Sequence, residues 1–123
     1  MRAYNADRRN RKRRTLTLYM RFVNSRTGEP VGNLADLSPG GFMLESVKTI
    51  PVNAEFSFRV DLPPEAARKP FMVFTARSRW SRRDPVDGRL YDTGFEIMQM
   101  DPGDAQILQT ILDRYGRNST FGD

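Results

Sequence analysis

The chain has 123 residues, 38% hydrophobic and 28% charged, which suits one compact domain with a modest core and leaves no room for a second of ordinary size. Without cysteine or histidine it has no disulfide framework, no thiolate metal site and neither the commonest general base nor the commonest zinc ligand, so enzyme and metal readings weaken together. Its net charge of +5 is unevenly placed: residues 1–14 hold seven of the 20 basic and one of the 15 acidic residues, a charge of +6, while the other 109 residues hold 13 and 14, a charge of −1. Seven like charges so close together resist compaction, so the sequence predicts a flexible basic arm over 1–14 whose natural partner is a polyanion. The plainer alternative is a solvated tail. No apolar run approaches the roughly 20 residues that span a bilayer, and no apolar segment follows the basic N-terminus, so the expected location is the cytoplasm.

The expected folded domain covers 15–116. Leu16, Leu18, Met20 and Phe22 alternate with Thr15, Thr17, Tyr19 and Arg21, the period of a half-buried strand over Leu16 to Val23. Asn24 to Pro30, with Gly28 and Pro30, reads as a hairpin connection. Val31 to Ala35 is a second strand and Phe42 to Glu45 a third, and between them Asp36-Leu37-Ser38-Pro39-Gly40-Gly41 reads as a tight turn. That turn sets a carboxylate and a hydroxyl beside backbone that glycine leaves uncovered.

Pro51 interrupts pairing, and Phe56, Phe58 and Val60 alternate with polar residues in a fourth strand that ends at Pro63-Pro64. An exposed loop through Glu65 to Lys69 is expected next. Phe71 to Ser81 is the longest β-prone segment, with Met72, Phe74, Ala76, Ser78 and Trp80 as its inward set. Pro85 and Asp87-Gly88 mark a turn, and Tyr91 to Met98 is a sixth strand carrying Gly94, where a side chain would obstruct close approach or the strand bends.

Six short antiparallel strands at this spacing predict a mostly β fold, a small six-stranded barrel, because closure removes exposed edges. One helix comes after them. Asp101 suits the N-cap and Pro102 the first helical position, Ile107, Leu108, Ile111, Leu112 and Tyr115 share a face, and Gly116 suits the end. That face is expected to plug the barrel, and 117–123 to fray. Apart from the turn itself, no paired acidic constellation and no activated nucleophile stands out, so the reading is of a protein that is not an enzyme.

Arg9-Asn10-Arg11-Lys12-Arg13, followed 23 positions later by Asp36-Leu37-Ser38-Pro39-Gly40-Gly41, resembles the RxxxR and D/N-x-S-x-x-G pair of PilZ domains, bacterial receptors for cyclic di-GMP. Ala76-Arg77-Ser78-Arg79-Trp80 resembles the family's strand ending in tryptophan, Gly94-Phe95-Glu96-Ile97 its late strand, and the C-terminal helix is in its expected place. The strict spacing selects Arg9 and Arg13; Arg14 would pair with Asn10, which departs from the pattern. The resemblance implies a cyclic di-GMP receptor or adaptor, without a cofactor, that regulates an unidentified partner protein in motility, exopolysaccharide or virulence output. It also implies a ligand site of Arg9 and Arg13 on phosphate and guanine, Asp36 accepting from guanine N1 and N2, Ser38 and Gly41 at the turn, and Trp80 as a platform for a base. Arg8, Arg14 and Gly40 complete the ligand-binding set, and Arg8 and Arg11 would meet either a second ligand molecule or water.

Arginine is the suitable cation there, because its fork pairs with phosphate, bonds guanine O6 and N7 bidentately, or stacks on a base. The local alternatives are that Asp36 and Ser38 bond only their own turn, that Gly40 and Gly41 serve only positive φ, and that Trp80 is core. The rival function is a nucleic-acid-binding barrel using the same arm, although its positive charge should continue over the body.

Overall fold

A computed structural model describes residues 19–115. The proposed arm, the beginning of the first expected strand at Leu16 to Leu18, Gly116 and the tail lie outside them. Six strands, β1 (Arg21–Asn24), β2 (Pro30–Ser38), β3 (Gly41–Ser46), β4 (Glu55–Asp61), β5 (Phe71–Arg83) and β6 (Tyr91–Gln99), and one helix, α1 (Pro102–Tyr115), are present among the described residues. The strands close into an antiparallel barrel in the order β1-β2-β3-β6-β5-β4, so every strand has two neighbours and no edge is left open.

The alternation written in the sequence sorts side chains to the two faces. Phe22, Leu34, Leu37, Phe42, Leu44, Phe58, Val60, Met72, Phe74, Ala76 and Phe95 point inward and are buried. The phenylalanines meet at the centre, Phe42 stacked on Phe95 with ring centroids 5.1 Å apart and edge-on to Phe58 and Phe74 at 5.9 and 5.8 Å. Leu108 and Ile111 of α1 join this cluster, with Ile107, Leu112 and Tyr115 packed at its margin, so the helix covers the barrel as its apolar stripe predicts.

Three differences from the sequence reading matter for the site. The segment Asp36 to Ser38 is strand rather than turn: β2 continues to Ser38, which pairs with Gly41, and only Pro39 and Gly40 connect the strands. Glycine and proline mark the connection, but ladder pairing carries the strand up to it. Second, Trp80 leaves the inward set. The β5–β6 register shifts between Ser78 and Trp80, a bulge at Arg79 that turns the indole outward, where it is 36% exposed. Third, positive φ falls on Gly28 and Asn53 among the described residues and not on Gly40 or Gly41.

The β4–β5 connection is mostly exposed, as expected, and is tied to the helix at two points. Lys69 Nζ donates to Asp104 Oδ1 at 2.6 Å, and Arg114 Nη1 donates to the Glu65 carbonyl at 2.6 Å. The Asp104 side chain is only 5% exposed and that of Lys69 44%, so one end of the pair is dry and the other is screened. Lys69→Ala is therefore expected to cost about 1.5 kcal/mol, less than a fully buried pair, which thermal unfolding would show as a fall of roughly 5–10 °C in the midpoint. Asp104→Asn keeps an acceptor for Lys69 and should cost less. Around the β5–β6 turn, Asp84 Oδ1 accepts from the Val86 and Asp87 amides. The side-chain hydrogen bond from Arg89 holds the Asp87 carboxyl at a pKa of about 2. No helix among the described residues is long and apolar enough to cross a membrane.

Candidate functional site

The motif turn is shaped by a bulge in β2. Leu34 pairs with Leu44 and Asp36 with Met43, leaving Ala35 as an extra residue that bends the strand and sets Leu37 into the core. Asp36 is half-buried on the outer face, and its Oδ1 accepts the Leu37 amide at 2.8 Å. Ser38 Oγ donates to the Gly41 carbonyl at 3.2 Å, and the Gly40 carbonyl accepts the Ile97 amide at 3.1 Å. The hairpin end is thereby fastened to β6. Each polar motif side chain makes a bond within the hairpin.

Gly41 has a reason of its own. A methyl group there would lie 2.3 Å from the Phe95 carbonyl oxygen, so the missing side chain lets β3 approach β6. Gly94 does the same for an aromatic ring: a methyl on it would lie 2.2 Å from Trp80 Nε1, so the indole lies across the glycine as the sequence reading of a close approach expects.

Successive pairings carry one row of side chains across four strands of the outer face: Asp36 on β2, Met43 on β3, Gly94 on β6 and Trp80 on β5. At about 4.8 Å per strand the row is roughly 14 Å long. Met43 is buried although it points away from the core cluster, so the row runs from a carboxylate through apolar ground to an indole. The Arg82 guanidinium sits over the Trp80 ring at 5.3 Å, within cation–π range.

On one side, the row Ser38, Gly41, Glu96 and Arg77 ends at the motif hairpin. There Glu96 Oε1 accepts both Nε, at 2.7 Å, and Nη2 of Arg79. On the other side Asn33, Glu45, Asp92 and Arg82 form a row in which the wholly buried Asp92 is ion-paired to Arg82 at 3.0 Å. Glu45, Asp84 and Asp92 each bring a carboxylate oxygen within 4.8 Å of the others. The sequence reading finds no such acidic constellation, because its members are separated along the chain and only strand pairing joins them.

Of the residues proposed from sequence, Asp36, Ser38, Gly40 and Gly41 gather at one end of the β2–β3 hairpin, and Trp80 shares the outer-face row with Asp36. Arg8, Arg9, Arg13 and Arg14 lie outside the described residues. Strand pairing also brings Met43, Glu96 and Arg79 beside these residues, which the sequence reading does not single out as part of the site. Period-2 alternation already places Arg79 and Glu96 on outer faces, but only the register reveals that they meet.

The family model for the PilZ domain matches residues 7–114. No curated protein is similar enough in sequence to count as a match. Among solved structures the chain is similar to that of the Bacillus subtilis inhibitor of motility, MotI/DgrA, with a TM-score of 0.63 and 20% sequence identity over 83% of this chain and 49% of that one. The chain thus spans about half the length of that protein, and at this identity the likeness speaks for the fold. With the family model covering nearly the whole barrel and helix, the chain belongs to the PilZ domain family.

Proposed function

We propose that the chain is a cytoplasmic, non-enzymatic receptor for cyclic di-GMP, whose binding changes the protein's exterior for a downstream partner. The observation that carries this reading is the row joining Asp36 to Trp80 beside the Ser38–Gly41 hairpin: a guanine acceptor, an apolar floor and an aromatic edge on one outer face. The arm is connected to the right place. Arg21 is paired with Asn33, three residues before Asp36, and the eight residues from Arg13 to Arg21 extend up to roughly 27 Å, so the arginines can be brought over the row. Arg9 and Arg13 then pair with phosphate and guanine, and the ligand's two phosphates offset the repulsion that keeps the arm from compacting.

The barrel itself needs no rearrangement in this mechanism. The ordered arm and the ligand together make a new surface, which a partner reads. Control of motility is one candidate output, in keeping with the similarity to an inhibitor of motility. Calorimetry tests the reading: cyclic di-GMP is expected to bind, and cyclic di-AMP to fail to compete, because adenine has no N1 and N2 donors for Asp36. A protein that ignores cyclic di-GMP at millimolar excess, or that binds DNA with steep salt dependence and no guanine preference, would overturn it.

A further inference from the structure

Arg79 and Glu96 form an ion pair beside the motif hairpin. Glu96 is the cross-strand partner of Gly41, and Arg79 is the bulge residue just before Trp80, so it shares the outer face with the indole. Both side chains are about half exposed, 45% and 51%. The way they meet is informative. A guanidinium carries five N–H donors, and Arg79 spends its side edge, Nε and Nη2, on the single oxygen Oε1 of Glu96. The end-on edge, with parallel N–H groups on Nη1 and Nη2, makes no other bond among the described residues. That edge is the fork that takes two oxygens of a phosphate, or O6 and N7 of a guanine.

We propose that Arg79 is a further ligand-contacting residue, donating its end-on fork to a pair of acceptors on the nucleotide that lies against Trp80, with Glu96 as the residue that positions it. This rests on the receptor reading above and adds a cation supplied by the barrel rather than by the arm. A guanidinium carried by the barrel contributes independently of the arm, so it gives the ligand a first foothold on the outer face. Glu96 has two opposed effects: it aims the fork, and its charge opposes the ligand's phosphates. Replacing it separates them, because Glu96→Gln keeps the aiming oxygen and drops the charge, whereas Glu96→Ala loses both.

The test is calorimetry with cyclic di-GMP at two salt concentrations on the wild type, Arg79→Ala, Arg79→Lys, Glu96→Gln, Glu96→Ala and the two Glu96 changes combined with Arg79→Ala. Arg79→Ala is expected to weaken binding about fivefold with its thermal midpoint unchanged, since an exposed pair contributes little to stability. Glu96→Gln should bind roughly threefold more tightly than Glu96→Ala, and in the Arg79→Ala background the two should match. If Arg79→Lys restores most of the affinity and the deficit shrinks with salt, the acceptors are phosphate oxygens; if lysine does not rescue and salt has no effect, they are guanine O6 and N7. Either result supports the proposal. A wild type that binds while Arg79→Ala binds equally well overturns it and leaves the receptor reading standing; a wild type that does not bind overturns both.

Discussion

Gly41→Ala is expected to lower the thermal midpoint by roughly 12–20 °C, a loss of about 3 kcal/mol in a domain of this size. The added methyl would lie 2.3 Å from the Phe95 carbonyl oxygen, and the obstacle is backbone held in the ladder on both sides. Relief requires β3 and β6 to separate where Phe42 stacks on Phe95 at the centre of the core. Gly94→Ala is a useful comparison. Its methyl meets the Trp80 indole, a side chain on the outer face, so the ring swings away at a smaller cost in stability, and the change shows in the fluorescence of the chain's one tryptophan. If Gly41→Ala melts within a few degrees of the wild type, the close approach of β3 to β6 is not what this glycine is for, and a role toward ligand alone becomes the better account.

Much of the fold is legible in the sequence because a barrel of short strands writes itself as period-2 alternation broken by Gly and Pro. Met20, Phe22, Phe58, Val60, Met72, Phe74 and Ala76 are inward in the reading and buried in the structure. The helix is equally plain from its stripe and its Asp101-Pro102 start. What alternation cannot show is where it breaks. Of the four register shifts among the described residues, the two at Ala35 and Arg79 fall at the site: one bends β2 at Asp36 and the other turns Trp80 outward. A strict period puts the indole in the core and misses its outer-face neighbours.

The same limit applies to the site. The motif hairpin is visible in the sequence as a string of residues, Asp36 to Gly41. The cross-strand partners are not visible, since Met43, Gly94 and Trp80 join Asp36 only through three successive registers. Gly41 has a second meaning that its sequence reading does not give: the missing side chain is also room for β6. The pairing of Arg79 with Glu96 and the cluster of Glu45, Asp84 and Asp92 belong to the same class, contacts made by register rather than by spacing.

Removing the proposed guanine acceptor should have a large effect on binding: Asp36→Ala is expected to weaken cyclic di-GMP at least tenfold, since a charge-assisted hydrogen bond is worth roughly 1.5–3 kcal/mol. The side chain has a structural duty as well, because Oδ1 takes the Leu37 amide at 2.8 Å, so affinity and stability must be measured on the same variants. Asp36→Asn separates the duties. With its oxygen on the Leu37 amide, the asparagine turns its NH2 toward the guanine donors, so the fold is kept and binding falls; with the amide reversed, one acceptor meets the guanine and the turn bond is lost. Asparagine should therefore bind with intermediate affinity and melt close to the wild type, in keeping with the D/N allowed at this motif position. Arg13→Ala should match the tenfold loss of Asp36→Ala without touching the melting midpoint, while Arg14→Ala should cost much less. The reverse order for the two arginines would move the motif register by one residue and leave the site intact. Unchanged affinity in both Asp36 variants would place the nucleotide somewhere other than on this row.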